Sequence, residues 1–153
     1  MSDELTAVVA ELRERLQRVE DILEIHQLFV DYGRHLDKGD FHAYAQLFTE
    51  DAELRLGPVA RGTGRAEIEA VMTKNLGPGV GSTLHIISSP EVALSGDEAT
   101  AEVMWTVARR DDDGNPVVDM VGHHSDDLVR DTDGRWRFKR RRGYVDLPTA
   151  VRS

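Results

Sequence analysis

Cysteine is absent from the chain, which excludes disulfides, thiolate metal sites and cysteine nucleophiles. Long apolar runs are absent too. Asp3 and Glu4 open the sequence, and no stretch reads as a secretory signal or a membrane span, so a cytoplasmic protein is expected. Positive charge is scarce. With 19 Lys and Arg against 28 Asp and Glu, the formal charge is −9, which repels nucleic acid and anionic membranes alike. Repeats, low-complexity tracts and linkers are also missing. The 153 residues therefore read as a single domain, 1–153, with 1–20 an N-terminal helical extension.

Several chemical signatures are incomplete. NLGPGVG (Asn75 to Gly81) has the glycines of a phosphate-binding loop but neither its lysine nor its strand–loop–helix setting, so it reads as a connector or lid. His123 and His124 stand beside Asp126 and Asp127, yet adjacent strand residues diverge and do not share an ion easily. The serines lack a nucleophile-elbow context. Neither metal nor cofactor is expected.

What is present is periodicity. Leu5, Val9, Leu12, Leu16, Val19 and Leu23 alternate by four and three like a short heptad seam. A second stripe runs through Ile22, Ile25, Phe29, Tyr32 and Leu36. One long helix, or two joined near Arg18, would turn the first stripe to a partner and the second to the core. The seam suggests a homo-oligomer, a trimer or a dimer. Gly39 suits the left-handed residue after a helix, and Asp40 the cap of a short helix over about Phe41 to Phe48. Glu53 to Leu56 alternates like a strand, and Arg65 to Lys74 like a helix.

The second half changes period. Leu84–Leu94, Ala99–Arg109, Val117–Arg130 and Arg135–Val145 are strand-like, with DDDGNP and DTDG as hairpin turns. Helices followed by an antiparallel meander give an α+β domain, and a curved sheet closed by helices encloses a pocket.

His85 in TLHIISS shares a strand face with Thr83 and Ile87. Leu84 and Ile86 take the other face, and both faces read as buried. A buried imidazole needs a partner, and Asp37 near the first helix's end suits it chemically. Gly33, one turn before Asp37, leaves room on that face. Tyr32 belongs to the apolar stripe and lies roughly 140° around the helix from Asp37. His123 and His124 must face opposite ways, so one of them lines the pocket; Trp105 and Met104 are further candidate contacts. In RWRFKRRRGY, Trp136 and Phe138 face the core, and alternation sends Arg137, Lys139 and Arg141 away from it. An arginine turned inward would bind an anion. His26, His35 and His42 show no pairing pattern.

DYGRHLDKGDFHAYAQLFTEDAEL, TLHIISSPEVALSGDEATAE and GHHSDDLVRDTDGRWRFKRR resemble the SnoaL-like branch of the nuclear-transport-factor-2-like superfamily, over roughly Ile22 to Tyr144. The resemblance implies a cone-shaped α+β barrel: a curved, mainly antiparallel sheet closed by N-terminal helices around a pocket. Within that branch the chain is most similar to scytalone dehydratase, bile-acid 7α-dehydratase and hexachlorocyclohexane dehydrochlorinase. By that resemblance Asp37 orients a histidine base, His85, with Tyr32 as a further catalytic group and Arg141 as a pocket cation. His123 or His124 would answer to a second histidine, and Asp126 loosely to the acid of polyketide cyclases. The expectation is a dehydratase-like lyase or proton-shifting isomerase, without cofactor, for a small hydrophobic molecule. A non-catalytic binding or oligomerisation module and a polyketide cyclase are the alternatives.

Overall fold

The computed structural model describes residues 2–147; residue 1 and residues 148–153, which the sequence reading includes in the domain, lie outside the described residues. One unbroken helix, α1 (Asp3–Lys38), opens the chain. Ser2 caps it, its Oγ accepting from the Leu5 N–H at 3.3 Å, and Asp3 and Glu4 set negative charge at the positive end of the dipole. At the far end the Asp40 N–H bonds the His35 carbonyl (3.0 Å) and the Gly39 N–H the Leu36 carbonyl (3.1 Å). This double closure needs a left-handed residue, and Gly39 supplies it at φ 71°. Asp40 then caps α2 (Phe41–Gln46) by accepting from the Ala43 N–H. The chain turns sharply at the place where a carboxylate, Asp37, stands one residue from the helix end.

Strand β1 (Phe48–Leu56) follows, then β2 (Ala60–Thr63), α3 (Arg65–Leu76) and a 3-10 turn at Gly77–Gly79. Four long strands complete the domain: β3 (Thr83–Ser95), β4 (Glu98–Arg110), β5 (Pro116–Arg130) and β6 (Trp136–Leu147). They form one curved, open sheet in the order β2-β1-β6-β5-β4-β3, antiparallel except where β1 runs parallel to β6. The strand at Glu53–Leu56 thus begins earlier than its local pattern suggests. Pairing of Phe48 with Phe138 recruits the start of β1, past a register shift before Glu53. Among the described residues no helix is long and apolar enough to cross a membrane.

The buried face of α1 (Ile25, Leu28, Phe29, Tyr32, Leu36) lies in the concave side of the sheet, against Phe138, Val103 and Leu128. Phe138 and Tyr32 are rings of one aromatic cluster with Phe29, Tyr44 and Phe48. Hydrophobic burial on this scale sets the sheet's inner face, while its outer face stays open. Two expectations fail here. Leu84 and Ile86 are 60% and 52% exposed, so the second face of β3 is not buried. Arg141 does not point away from Trp136 and Phe138: Phe138 pairs with Leu128 but Arg140 pairs with Asp127, leaving Lys139 as an extra residue. That bulge reverses the alternation and turns Arg141 into the core, where it is fully buried.

Candidate active site

Between α1, α3 and the concave sheet lies a cavity of about 330 Å³. Its wall is mostly aliphatic, with Leu36, Met72, Leu76, Ile87 and Val107 prominent, and among the described residues no Asp, Glu, Lys or Arg lines it. Its polar side chains are those of Tyr32, His85, Trp105 and His124; Tyr144 borders it from β6, but its ring stacks on the outward-facing His123. Two glycines shape the wall. A Cβ on Gly122 would collide with the Trp105 indole and the Tyr144 carbonyl. One on Gly143 would meet Leu56 Cδ2 at 2.8 Å and His124 Cδ2 at 3.2 Å.

His85 enters from β3. Its ring Nδ1 is 2.8 Å from Asp37 Oδ1, and its backbone N–H donates to the same oxygen at 2.9 Å. A carboxylate accepts and does not donate, so in the neutral imidazole Nδ1 carries the proton and Nε2 is bare. Both side chains are about one-fifth exposed, half-buried and not sealed. Gly33 makes the approach possible: a Cβ there would sit 3.2 Å from the His85 carbonyl oxygen and 3.1 Å from Ile87 Cγ1. Asp37 faces away from the main cavity, into a recess of about 100 Å³ beneath Asn75, Gly79, Val80 and Gly81. His85 borders both spaces. Tyr32 and Asp37 therefore flank His85 from different sides of the helix, and NLGPGVG covers the carboxylate's side.

His124 lies on the wall across β4 from His85. Its ring packs edge-on to Tyr32 (5.3 Å between centroids) and tilted to Trp105 (5.9 Å). Burial, and then the nearby Arg141 cation, hold it well below the usual histidine range, so it is a neutral imidazole. Its Nδ1 and the Trp105 Nε1 have no hydrogen-bond partner among the described residues. Burial likewise pushes the Tyr32 phenol up, against the pull of Arg141.

Of the expected site residues, Tyr32, His85, Trp105 and His124 line the cavity and Asp37 holds His85. Three do not. Met104 points to the outer face opposite Trp105. His123 does the same, bonded to Asp146 at 2.8 Å and stacked on Tyr144 at 4.9 Å. Arg141 is buried behind the wall, its guanidinium in a two-point pair with Asp126 at 2.8 and 2.9 Å. Tyr32 and Phe138 sandwich it, with ring centroids 4.0 and 4.2 Å away. It does not line the cavity, whereas Tyr32, on which it stacks, does. Burial pushes Asp126 up to about 6 in spite of that pair, and Asp126 is also off the cavity wall.

The sequence reading missed the β1–β2 turn, whose Gly57, Pro58 and Val59 close one side of the cavity. It also missed Tyr44, whose ring lies 5.0 Å from Tyr32 and whose buried hydroxyl has no partner among the described residues. Among the described residues no three His, Asp or Glu side chains converge in a metal-binding group. The arrangement offers one oriented imidazole facing an apolar space, with neutral donors on the opposite wall.

Among solved structures, an NTF2-like protein with a cystatin-like fold from Novosphingobium aromaticivorans is 30% identical. It superposes with a TM-score of 0.81 over 98% of this chain and 95% of its own. A protein from the same organism, provisionally named a scytalone dehydratase, is 26% identical with a TM-score of 0.71 over 85% of this chain and 87% of its own. ActVI-ORFA from Streptomyces coelicolor is 26% identical with a TM-score of 0.71, over 82% and 97%. No curated protein is significantly similar in sequence. The family model described as SnoaL-like domain matches residues 17–142, which span the Asp37–His85 pair, most of the cavity wall and the Arg141–Asp126 pair. The chain belongs to the SnoaL-like family of the nuclear-transport-factor-2-like superfamily.

Proposed function

We propose that this chain is a dehydratase-like lyase, or a proton-shifting isomerase, that acts without cofactor on a small hydrophobic molecule. His85 is the general base and Asp37 its orienting carboxylate. The observation that carries the reading is the two-point hold of Asp37 on His85 at the wall of an apolar cavity. An imidazole fixed by its backbone as well as its ring does not need to be ordered at the moment of reaction.

In an elimination, His85 Nε2 takes a proton from a carbon acidified by a neighbouring carbonyl. The C–H electron pair becomes the new double bond, and the leaving group departs with its own pair. Asp37 offsets the charge of the imidazolium. With hydroxide leaving, the same proton is returned to it and water is released. In an isomerisation the proton goes back to another carbon. Tyr32 remains protonated and donates to a carbonyl or a departing hydroxyl; Arg141 holds its ring from behind. The likeness to the provisionally named scytalone dehydratase supports the same class. A cyclase reading through Asp126 has less support, because that carboxylate is tied to Arg141 off the cavity wall.

The test is a screen of β-hydroxy ketones and halogenated rings for elimination, using the wild type, His85→Ala and Asp37→Asn. The reading requires turnover by the wild type and its loss in both variants with folding intact. An unaffected rate in either variant sinks it. Ligand binding without turnover in the wild type would favour a non-catalytic binder instead.

A further inference from the structure

Residues 3–20 of α1 are exposed throughout, save a half-exposed Val9. Yet this half of the helix is not uniformly polar. Leu5, Leu12, Leu16, Val19 and Leu23, which with Val9 form one stripe, are each at least half exposed. The stripe runs about 27 Å at 1.5 Å per residue. An apolar stripe of that length left in water marks a contact surface.

The base of this segment is fixed. Asp21 Oδ1 accepts from Trp136 Nε1 (3.0 Å), Arg130 Nη2 (2.6 Å) and Gln17 Nε2 (3.0 Å), pinning α1 to the β5–β6 hairpin. Helix nucleation is thus met by the folded domain, and the N-terminal turns only propagate it.

The spacing assigns Val9, Leu16 and Leu23 to one core position of the heptad and Leu5, Leu12 and Val19 to the other. The flanking positions then discriminate between partners. In a parallel pair, each flanking residue meets the one five further along on the other helix. Arg15 meets Glu20 of the second copy, twice by symmetry, and Val8 and Ile22 meet the stems of Arg13 and Gln27. An antiparallel pair also fills the seam, with Leu12 opposite Leu16. It sets Arg13 against Arg13 and Arg15 against Arg15, however, which like charges oppose. Among the described residues Arg15 makes a single ion pair, a long and largely solvated contact of 3.8 Å to Glu11, so it is available for a partner.

We infer that α1 pairs in parallel with α1 of a second copy of this chain, through the seam from Leu5 to Leu23, with reciprocal Arg15–Glu20 pairs setting the direction. This does not depend on the chemistry of the cavity.

Light scattering on the full chain measures the mass directly. Two chains are expected for the wild type and one for Leu12→Glu/Leu16→Glu, with the thermal unfolding of the domain retained. Arg15→Glu and Glu20→Arg singly should each raise the dissociation constant roughly tenfold, since two attractive pairs become repulsive. The combined reversal should restore it to within about twofold, given that the pairs are re-formed with exchanged sign. These surface reversals test the pairing even where the leucine variant fails to fold. A monomeric wild type overturns the inference. So does a dimer that survives the leucine changes, which would place the interface elsewhere, such as the open sheet face with Leu84 and Ile86. Absence of rescue by the combined reversal overturns the parallel direction.

Discussion

One oxygen of Asp37 accepts two hydrogen bonds from a single residue, His85: one from the ring Nδ1–H at 2.8 Å and one from the backbone N–H at 2.9 Å. Position and charge are therefore supplied by the same carboxylate, and two substitutions separate them. Asparagine can accept both bonds through its carbonyl oxygen but carries no charge. Asp37→Asn should leave stability within about 1 kcal/mol of wild type while lowering turnover on the order of 100-fold or more. Asp37→Ala also strands the backbone N–H, and should cost about 1–2 kcal/mol because water partly replaces the lost acceptor at this half-buried site. Urea unfolding and single-turnover rates on both variants check the separation. Equal rates in the wild type and Asp37→Asn would mean that the charge has no chemical role.

Gly33 sits in the helix one turn before Asp37, where helix propensity alone favours alanine by about 1 kcal/mol. The space argues the other way. A methyl there would stand 3.2 Å from the His85 carbonyl oxygen, a backbone atom that yields only if β3 moves. Overpacking of this kind costs about 1–3 kcal/mol, so Gly33→Ala should destabilise on balance and weaken the His85–Asp37 contact. Chemical denaturation gives the sign, and ring-nitrogen NMR of His85 gives the contact. A stabilised Gly33→Ala with an unaltered His85 spectrum would show that the strand does not rest on this glycine.

The parts legible in the sequence are those where a residue's own chemistry decides local geometry. Gly39 and Asp40 announce the end of one helix and the cap of the next, and both do so in the structure. The acidic turns closing β4–β5 and β5–β6 are equally local, with Asp111 accepting from the backbone of Asp113 and Asn115. Asp37 and His85 were conspicuous as polar groups in segments that pack, but they stand 48 positions apart, and beyond the room left by Gly33 only the family resemblance pointed to their contact. Arg141 was illegible from alternation because Lys139 is a bulge, and a bulge is fixed by what β6 pairs with on either side. The β2 strand and the turn before it were missed for the same reason. Four residues with little strand preference are held as an edge by register to β1. Leu84 and Ile86 looked buried because they are apolar, but their face of β3 is open in the single chain.

Arg141 and Asp126 are both fully buried, so their pair is a test of burial energetics more than of catalysis. Removing one partner leaves the other charge unpaired in the core, which costs about 3–5 kcal/mol. Asp126→Asn and Arg141→Met should each be that destabilising. The double change Asp126→Leu/Arg141→Met should recover most of the loss, because the apolar pair demands no desolvation of charge. Guanidinium unfolding of the three variants decides it. Retained ligand affinity in the double variant would show that Arg141 acts on the cavity only by supporting Tyr32.

His124 makes stability depend on pH in a direction opposite to its buried neighbour. Its folded form stays neutral well below the ordinary histidine value of 6.5, so below that pH the unfolded chain takes up a proton that the folded chain refuses. Stability is lost as pH falls, at about 1.4 kcal/mol per pH unit at full slope. Asp126, raised from 3.8 to about 6, protonates first in the folded state and adds stability between those values as pH falls. The two slopes oppose each other below pH 6, and the wild-type profile alone conceals them. The difference between wild type and His124→Gln removes the shared Asp126 contribution. The wild type should lose ground steadily relative to His124→Gln from pH 6.5 downwards. A pH-independent difference would mean that His124 takes up its proton inside the folded protein.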